Sequence, residues 1–228
     1  MNLFYAYNGY GENFRRNFLR DFRQYFSSFV VVLTLGFMSQ MASANAKQIS
    51  IVAFGDSLTA GLGVDPQQNY PTKLQAALRA KGYDVVISNA GVSGDTTRGG
   101  LARLDWAIGD DVDIVILELG ANDALRGIDP SETRKSLTQI VDKLLKKNKK
   151  ILLAGMIAPP NLGAEYGIEF AQIFKDLSNK KGVVFYPFFL KAVAEKPNLV
   201  QLDGMHPKAM GYEAIVKDLL PVIEMMLK

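Results

Sequence analysis

DIVILEL, residues 113–119, runs straight into GAND, residues 120–123. Seven residues rich in Ile, Val and Leu, closed by glycine, have the length and branching of a strand buried on both faces. Four further segments read the same way: residues 48–54 (QISIVAF), 84–88 (DVVIS), 150–156 (KILLAGM) and 183–186 (VVFY). Between them the apolar period changes to that of helices. Residues 69–81 carry Leu74, Ala77 and Leu78 on one face and stop at Lys81-Gly82. Helices are also expected over 96–108, 165–181 and 210–227. A long one starts at Ser131, read as its N-cap, with Leu137, Ile140, Val141, Leu144 and Leu145 on one face. Five strands, each followed by a helix, imply a mostly parallel sheet covered on both sides. The expected fold is α/β: a single-domain three-layer α/β/α sandwich, flavodoxin-like, with no repeat, linker or second domain. Ligands of such open sheets bind beyond the carboxyl ends of the strands, so functional side chains should sit just after them.

The rest of the composition narrows the chemistry. The chain has 228 residues, 26 Lys+Arg against 23 Asp+Glu, one His and no Cys. Without cysteine there is no disulfide, thiolate nucleophile, iron–sulfur cluster or cysteine-bound zinc. One histidine excludes the H-E-x-x-H zinc hydrolases. Any imidazole chemistry belongs to His206.

Residues 1–46 read as a signal peptide, with residues 47–228 as the folded product. Arg15, Arg16, Arg20 and Arg23 precede an apolar run, FVVVLTLGFM at 29–38, which is followed by small residues including Ala42, Ala44 and Ala46. That run is about half the roughly 20 residues a membrane span requires, so export is expected over anchoring. Cleavage fits after Ala44 or, preferably, Ala46. RRNFL at 15–19 also resembles a twin-arginine motif, which leaves the export route open, the general secretory one being preferred. Without the leader, 22 basic and 21 acidic residues remain. No basic stripe suggests nucleic acid; the run KKNKK at 146–150 reads as a solvated helix end.

Four polar loops meet the placement expected for a site. They are GDSLTAG at 55–61, NAGVSGDT at 89–96, GAND at 120–123 and DGMHP at 203–207. Together they could supply a serine nucleophile, an imidazole base oriented by a carboxylate, and donors for an oxyanion. Each residue also has a plainer reading: Ser57 as a helix N-cap, Asp203 as a turn former, Gly94 as a turn glycine, Asn122 as a tie between loops. Asp56 and Asp123 read as loop-bracing acceptors. GVSGD at 91–95 lacks the last glycine of a G-x-S-x-G elbow, and neither a P-loop nor a G-x-G-x-x-G turn is present.

The four blocks, in this order and across nearly all of residues 47–228, resemble the GDSL, or SGNH, hydrolase family. The phrases SGDTT, LARL, ELGANDALRG and DGMHP look like its bacterial periplasmic subgroup of thioesterase, lysophospholipase and arylesterase activities. The resemblance implies Ser57 as nucleophile, His206 as base and Asp203 as its partner. It also implies an oxyanion hole from Ser57, Gly94 and Asn122. No cofactor and no metal are implied, and the expected substrate is a small acyl ester, thioester or lysophospholipid; the alternatives are a carbohydrate acetylesterase and, further off, a non-catalytic module that binds glycan or lipid. Ile157, Leu162 and Tyr166 could wall an acyl site, or equally serve as core and loop anchors. Oligomeric state is left open.

Overall fold

The computed structural model describes residues 47–228. The leader reading of residues 1–46 lies outside the described residues. Five strands, β1 (Ile49–Gly55), β2 (Val85–Gly91), β3 (Ile114–Glu118), β4 (Lys150–Ala154) and β5 (Val183–Tyr186), form one sheet in the order β2-β1-β3-β4-β5. All four pairings are parallel. The α/β expectation therefore holds, and DIVILEL does supply the central strand. Every residue of β3 is buried, and Ile151 through Ala154 of β4 are fully enclosed. Burying each such large aliphatic side chain contributes about 1.5–3 kcal/mol.

Seven helices accompany the sheet among the described residues: α1 (Ser57–Ala60), α2 (Tyr70–Ala80), α3 (Thr97–Ala107), α4 (Ala121–Leu125), α5 (Pro130–Lys146), α6 (Ala164–Ser178) and α7 (Ala209–Leu227). They form two packed groups, α2 with α7 and α3 with α5 and α6. Among the described residues no helix is long and apolar enough to cross a membrane. The strand order places β2 on one side of β1 and β3 on the other. The chain thus reverses direction across the sheet at β1, which opens a crevice beyond the ends of β1 and β3.

Three expectations need correcting. β2 continues past residue 88 to Gly91, because Asn89, Ala90 and Gly91 pair with Ala53, Phe54 and Gly55. Pairing partners, not propensity, make those residues a strand. The long helix α5 starts at Pro130 and is capped by Asp129, whose side chain accepts the Ser131 N–H at 2.8 Å. Proline suits this first position because its missing N–H would have no helical partner there. The lysine run is not simply solvated either: Lys149 is buried and donates to the Asp110 carbonyl at 2.7 Å.

Close packing at the strand ends depends on small residues. A Cβ at Gly91 would lie 2.2 Å from the Ala60 backbone N, where nothing can give way. Gly167, inside α6, has nothing within 4 Å. Gly167→Ala should therefore raise stability by about 0.5–1 kcal/mol through helix propensity. Gly91→Ala should lower it by roughly 1–3 kcal/mol through overpacking. Urea unfolding midpoints of the two variants should move in opposite directions; shifts of the same sign would contradict this packing.

Candidate active site

The first loop decides what Ser57 is free to do. Capping of α1 falls to Asp56, whose Oδ1 accepts the Leu58 N–H at 3.0 Å. Ser57 is thereby the first helical residue, not the cap, and its hydroxyl is available. Ser57 Oγ lies 2.8 Å from His206 Nε2, and His206 Nδ1 lies 2.6 Å from Asp203 Oδ2. Asp203 Oδ1 also accepts the backbone N–H groups of Met205 at 2.9 Å and His206 at 3.0 Å. These donors, the His206 N–H foremost, pull the Asp203 carboxyl down to about 2. The carboxylate, an acceptor only, fixes the proton on Nδ1 and turns Nε2 toward the serine as an acceptor.

The histidine loop is fastened from both sides. Val200 and Pro207 form an antiparallel bridge, and the Gln201 N–H donates to the His206 carbonyl at 2.7 Å. Gln201 Nε2 donates to the carbonyls of Leu62 at 2.7 Å and Pro207 at 3.1 Å, joining this loop to the one after α1. Tyr212 of α7 donates to the Leu58 carbonyl at 2.9 Å.

Asn122 stands in the first turn of α4, and its Nδ2 donates to Asp56 Oδ2 at 3.0 Å. Asp56 is buried, and burial pushes its carboxyl up to about 6 against the opposing pull of the Leu58 and Asn122 donors. A carboxylate there selects the amide nitrogen of Asn122 over its oxygen. Asn122 also lines the cleft.

Gly94 occupies the third position of a turn from Val92 to Asp95, closed by an N–H to carbonyl bond of 3.0 Å. Its φ of +82° explains the glycine. Crowding does not, since a Cβ would meet only Arg126 Nη2, at 3.5 Å. Gly94 is not part of the cleft lining, but its carbonyl accepts from Arg126 Nη2 at 2.7 Å.

Arg103 does work that the sequence reading passed over. From α3 it reaches Asp95 Oδ2 at 2.6 Å, the Ala90 carbonyl at 2.8 Å and the Gly55 carbonyl at 2.9 Å. Its guanidinium also lies 4.1 Å from the Phe54 ring centroid. One planar fork therefore ties the Gly94 loop to the ends of β1 and β2. Asp123 similarly accepts the Thr97 N–H at 2.8 Å, the Thr97 hydroxyl at 2.5 Å and the Thr133 hydroxyl at 3.2 Å, joining α3, α4 and α5.

Ser57 and His206 open into a cleft of about 310 Å³. Ser57, Asn122 and His206 are its polar residues; Leu58, Leu125, Met156, Ile157, Phe188, Leu190 and Met205 supply much of the rest. Ile157 thus lies on the wall, whereas Leu162 and Tyr166 are outside it. Leu162 lies toward Gly127, while Tyr166 donates to the Ile128 carbonyl at 2.7 Å and stacks on Phe170. Phe188 and Leu190, in the PFFL segment after β5, follow the rule of loops after strands and were legible in principle. Among the described residues no three His, Asp or Glu side chains cluster as a metal site would.

Residues 53–214 match the GDSL-like lipase/acylhydrolase family. The chain is 33% identical over 196 residues to esterase TesA of Pseudomonas aeruginosa, covering 86% of this chain and 96% of TesA. It is 35% identical over 159 residues to thioesterase 1/protease 1/lysophospholipase L1 of Escherichia coli K12, covering 69% of this chain and 75% of that protein. Among solved structures, AlinE4, an SGNH-hydrolase family esterase, superposes with a TM-score of 0.67 at 45% identity, covering 81% of this chain and 100% of AlinE4. Motif order, fold and relatives agree: the chain belongs to the GDSL-like lipase/acylhydrolase family and is a hydrolase acting on ester bonds.

Proposed function

We propose that the chain is an exported serine esterase that hydrolyses acyl esters and thioesters, lysophospholipids among them, through an acyl-enzyme on Ser57. The observation that carries this reading is the unbroken hydrogen-bond chain from Ser57 Oγ to His206 to Asp203 at the mouth of an apolar cleft. In the first half-reaction His206 Nε2 takes the hydroxyl proton as Ser57 Oγ attacks the acyl carbonyl. The resulting imidazolium, steadied by Asp203, passes that proton to the leaving alcohol or thiol. Water then attacks the acyl-enzyme with the same base, which releases the acid and regenerates Ser57.

Negative charge on the carbonyl oxygen needs donors already in place. The Ser57 and Gly94 N–H groups and Asn122 Nδ2 are assigned that task, with Asp56 orienting the amide. The acyl group is assigned to the cleft beside Met156, Ile157 and Phe188, because a wall this apolar suits a hydrocarbon chain. A bare acetyl group on a sugar would leave most of it unfilled. The leader-like residues 1–46 support export and cleavage.

A fluorophosphonate probe should label the protein once, at Ser57, and Ser57→Ala should melt like the wild type yet lack both label and activity. With p-nitrophenyl esters of increasing length, kcat/KM should peak beyond acetate, and Ile157→Trp should penalise the longer chains most. Labelling elsewhere would contradict the nucleophile; acetate as the best substrate would favour the carbohydrate acetylesterase reading. Asn122→Ala should lower kcat about 10²–10³-fold with little change in KM. Asp56→Asn should act in the same direction, because an amide there offers N–H to Asn122 and invites its oxygen into the hole. Wild-type kcat in either variant would remove that residue from the account.

A further inference from the structure

Glu118 is the last residue of β3, in register with Gly55 at the end of β1, and its side chain is wholly buried. Its Oε2 accepts the Thr59 hydroxyl at 2.6 Å and the Asp56 N–H at a longer 3.4 Å, while Oε1 has no partner among the described residues. Beyond Thr59, the Tyr70 hydroxyl lies 3.4 Å away. Among the described residues no basic side chain pairs with Glu118. Arg103, the cation at these strand ends, is bound to Asp95 and to backbone carbonyls.

Gly55 is shaped around this carboxyl. A Cβ there would lie 2.5 Å from Glu118 Oε2 and 2.1 Å from Thr59 Oγ1. A leucine or methionine at 118 would fill the core without the cost of enclosing an acid. The acid therefore has a task, and its partners show which one. Asp56 and Thr59 flank Ser57 and begin α1, and Asp56 in turn holds Asn122.

We propose that Glu118 is a positioning residue which, as the neutral acid, braces the Asp56–Thr59 turn from beneath and so sets Ser57 and Asn122. This rests on the Ser57–His206–Asp203 reading above. Neutrality follows from enclosure beside a second carboxyl with no compensating cation among the described residues. Burial, with the neighbouring Asp56 charge, pushes Glu118 well above the usual carboxylate range. The charged or titratable groups facing the pair are His206 and Asp95 on the side of Asp56, and the Tyr70 and Tyr212 phenols on the side of Glu118. The short contact to Thr59 serves the neutral acid with either oxygen as donor.

Fluorophosphonate labelling of wild-type Ser57 is the control that separates this idea from the catalytic reading; if it fails, that reading is what has failed. With labelling intact, Glu118→Gln should keep kcat within about threefold and leave the acid limb of kcat/KM unmoved, because it replaces one neutral group with another. Glu118→Leu should lower kcat at least tenfold with KM nearly unchanged, and Thr59→Val, which keeps the shape, should lower it in the same direction should the leucine variant not fold. Infrared spectra of the wild type at about pH 8 should show a protonated-carboxyl C=O band that Glu118→Gln lacks. Wild-type kcat in folded Glu118→Leu, or in Thr59→Val where the leucine variant does not fold, would overturn the positioning role. Loss of activity in Glu118→Gln, a shifted acid limb, or absence of the infrared band would overturn the neutral acid.

Discussion

The buried carboxyl of Asp56 is the joint between fold and site. Its Oδ1 closes the N-terminus of α1, and its Oδ2 holds the Asn122 amide at the start of α4. One side chain thus couples the loop after β1 to the loop after β3, across the point where the sheet order reverses. That position has a cost. Its carboxyl lies near 6 in the fold against 3.8 for the free side chain, so the folded chain binds this proton more tightly than the unfolded one. Enclosing the charged form therefore costs stability at neutral pH and above, a cost that fades as pH falls below the unfolded value near 4. A leucine would suit the core better; an acceptor suits the chemistry.

The remaining bracing repeats this pattern at a distance from the cleft. Arg103 ties the Gly94 turn to two strand ends, Asp123 ties three helices together, and Gln201 ties the histidine loop to the loop after α1. None of the three lines the cleft. Loops at the ends of a parallel sheet have no ladder of their own to hold them, so their geometry rests on such side-chain bonds. A site set to within a few tenths of an ångström needs this second set of contacts as much as its reacting groups.

The sheet was legible because β1, β3 and β4 are runs of branched aliphatic residues that suit burial on two faces. Polar Asn89 and small Ala90 and Gly91 give no such signal; they are strand because β1 lies beside them. Ser57, Asn122, Asp203 and His206 stood out because each follows a strand or shares a short loop with its partner. Glu118 did not, since one acid in DIVILEL reads as an ordinary polar position. The missed clue was physical: a strand expected to be buried on both faces has no solvent in which to put a carboxylate. For Leu162 and Tyr166 the sequence leaves acyl wall and loop anchor equally open; the 3-10 turn at Pro160–Leu162 and the Tyr166 bond to the Ile128 carbonyl fit the anchor.

In the proposed reaction one imidazole, His206, moves every proton. The chain contains a single histidine, so its NMR titration in the free enzyme can be followed without ambiguity and set against the pH dependence of kcat/KM. If His206 is the base for Ser57, its signals should show one midpoint, and that midpoint should coincide with the acid limb of kcat/KM. Activity persisting at a pH where the imidazole is already fully protonated would contradict it.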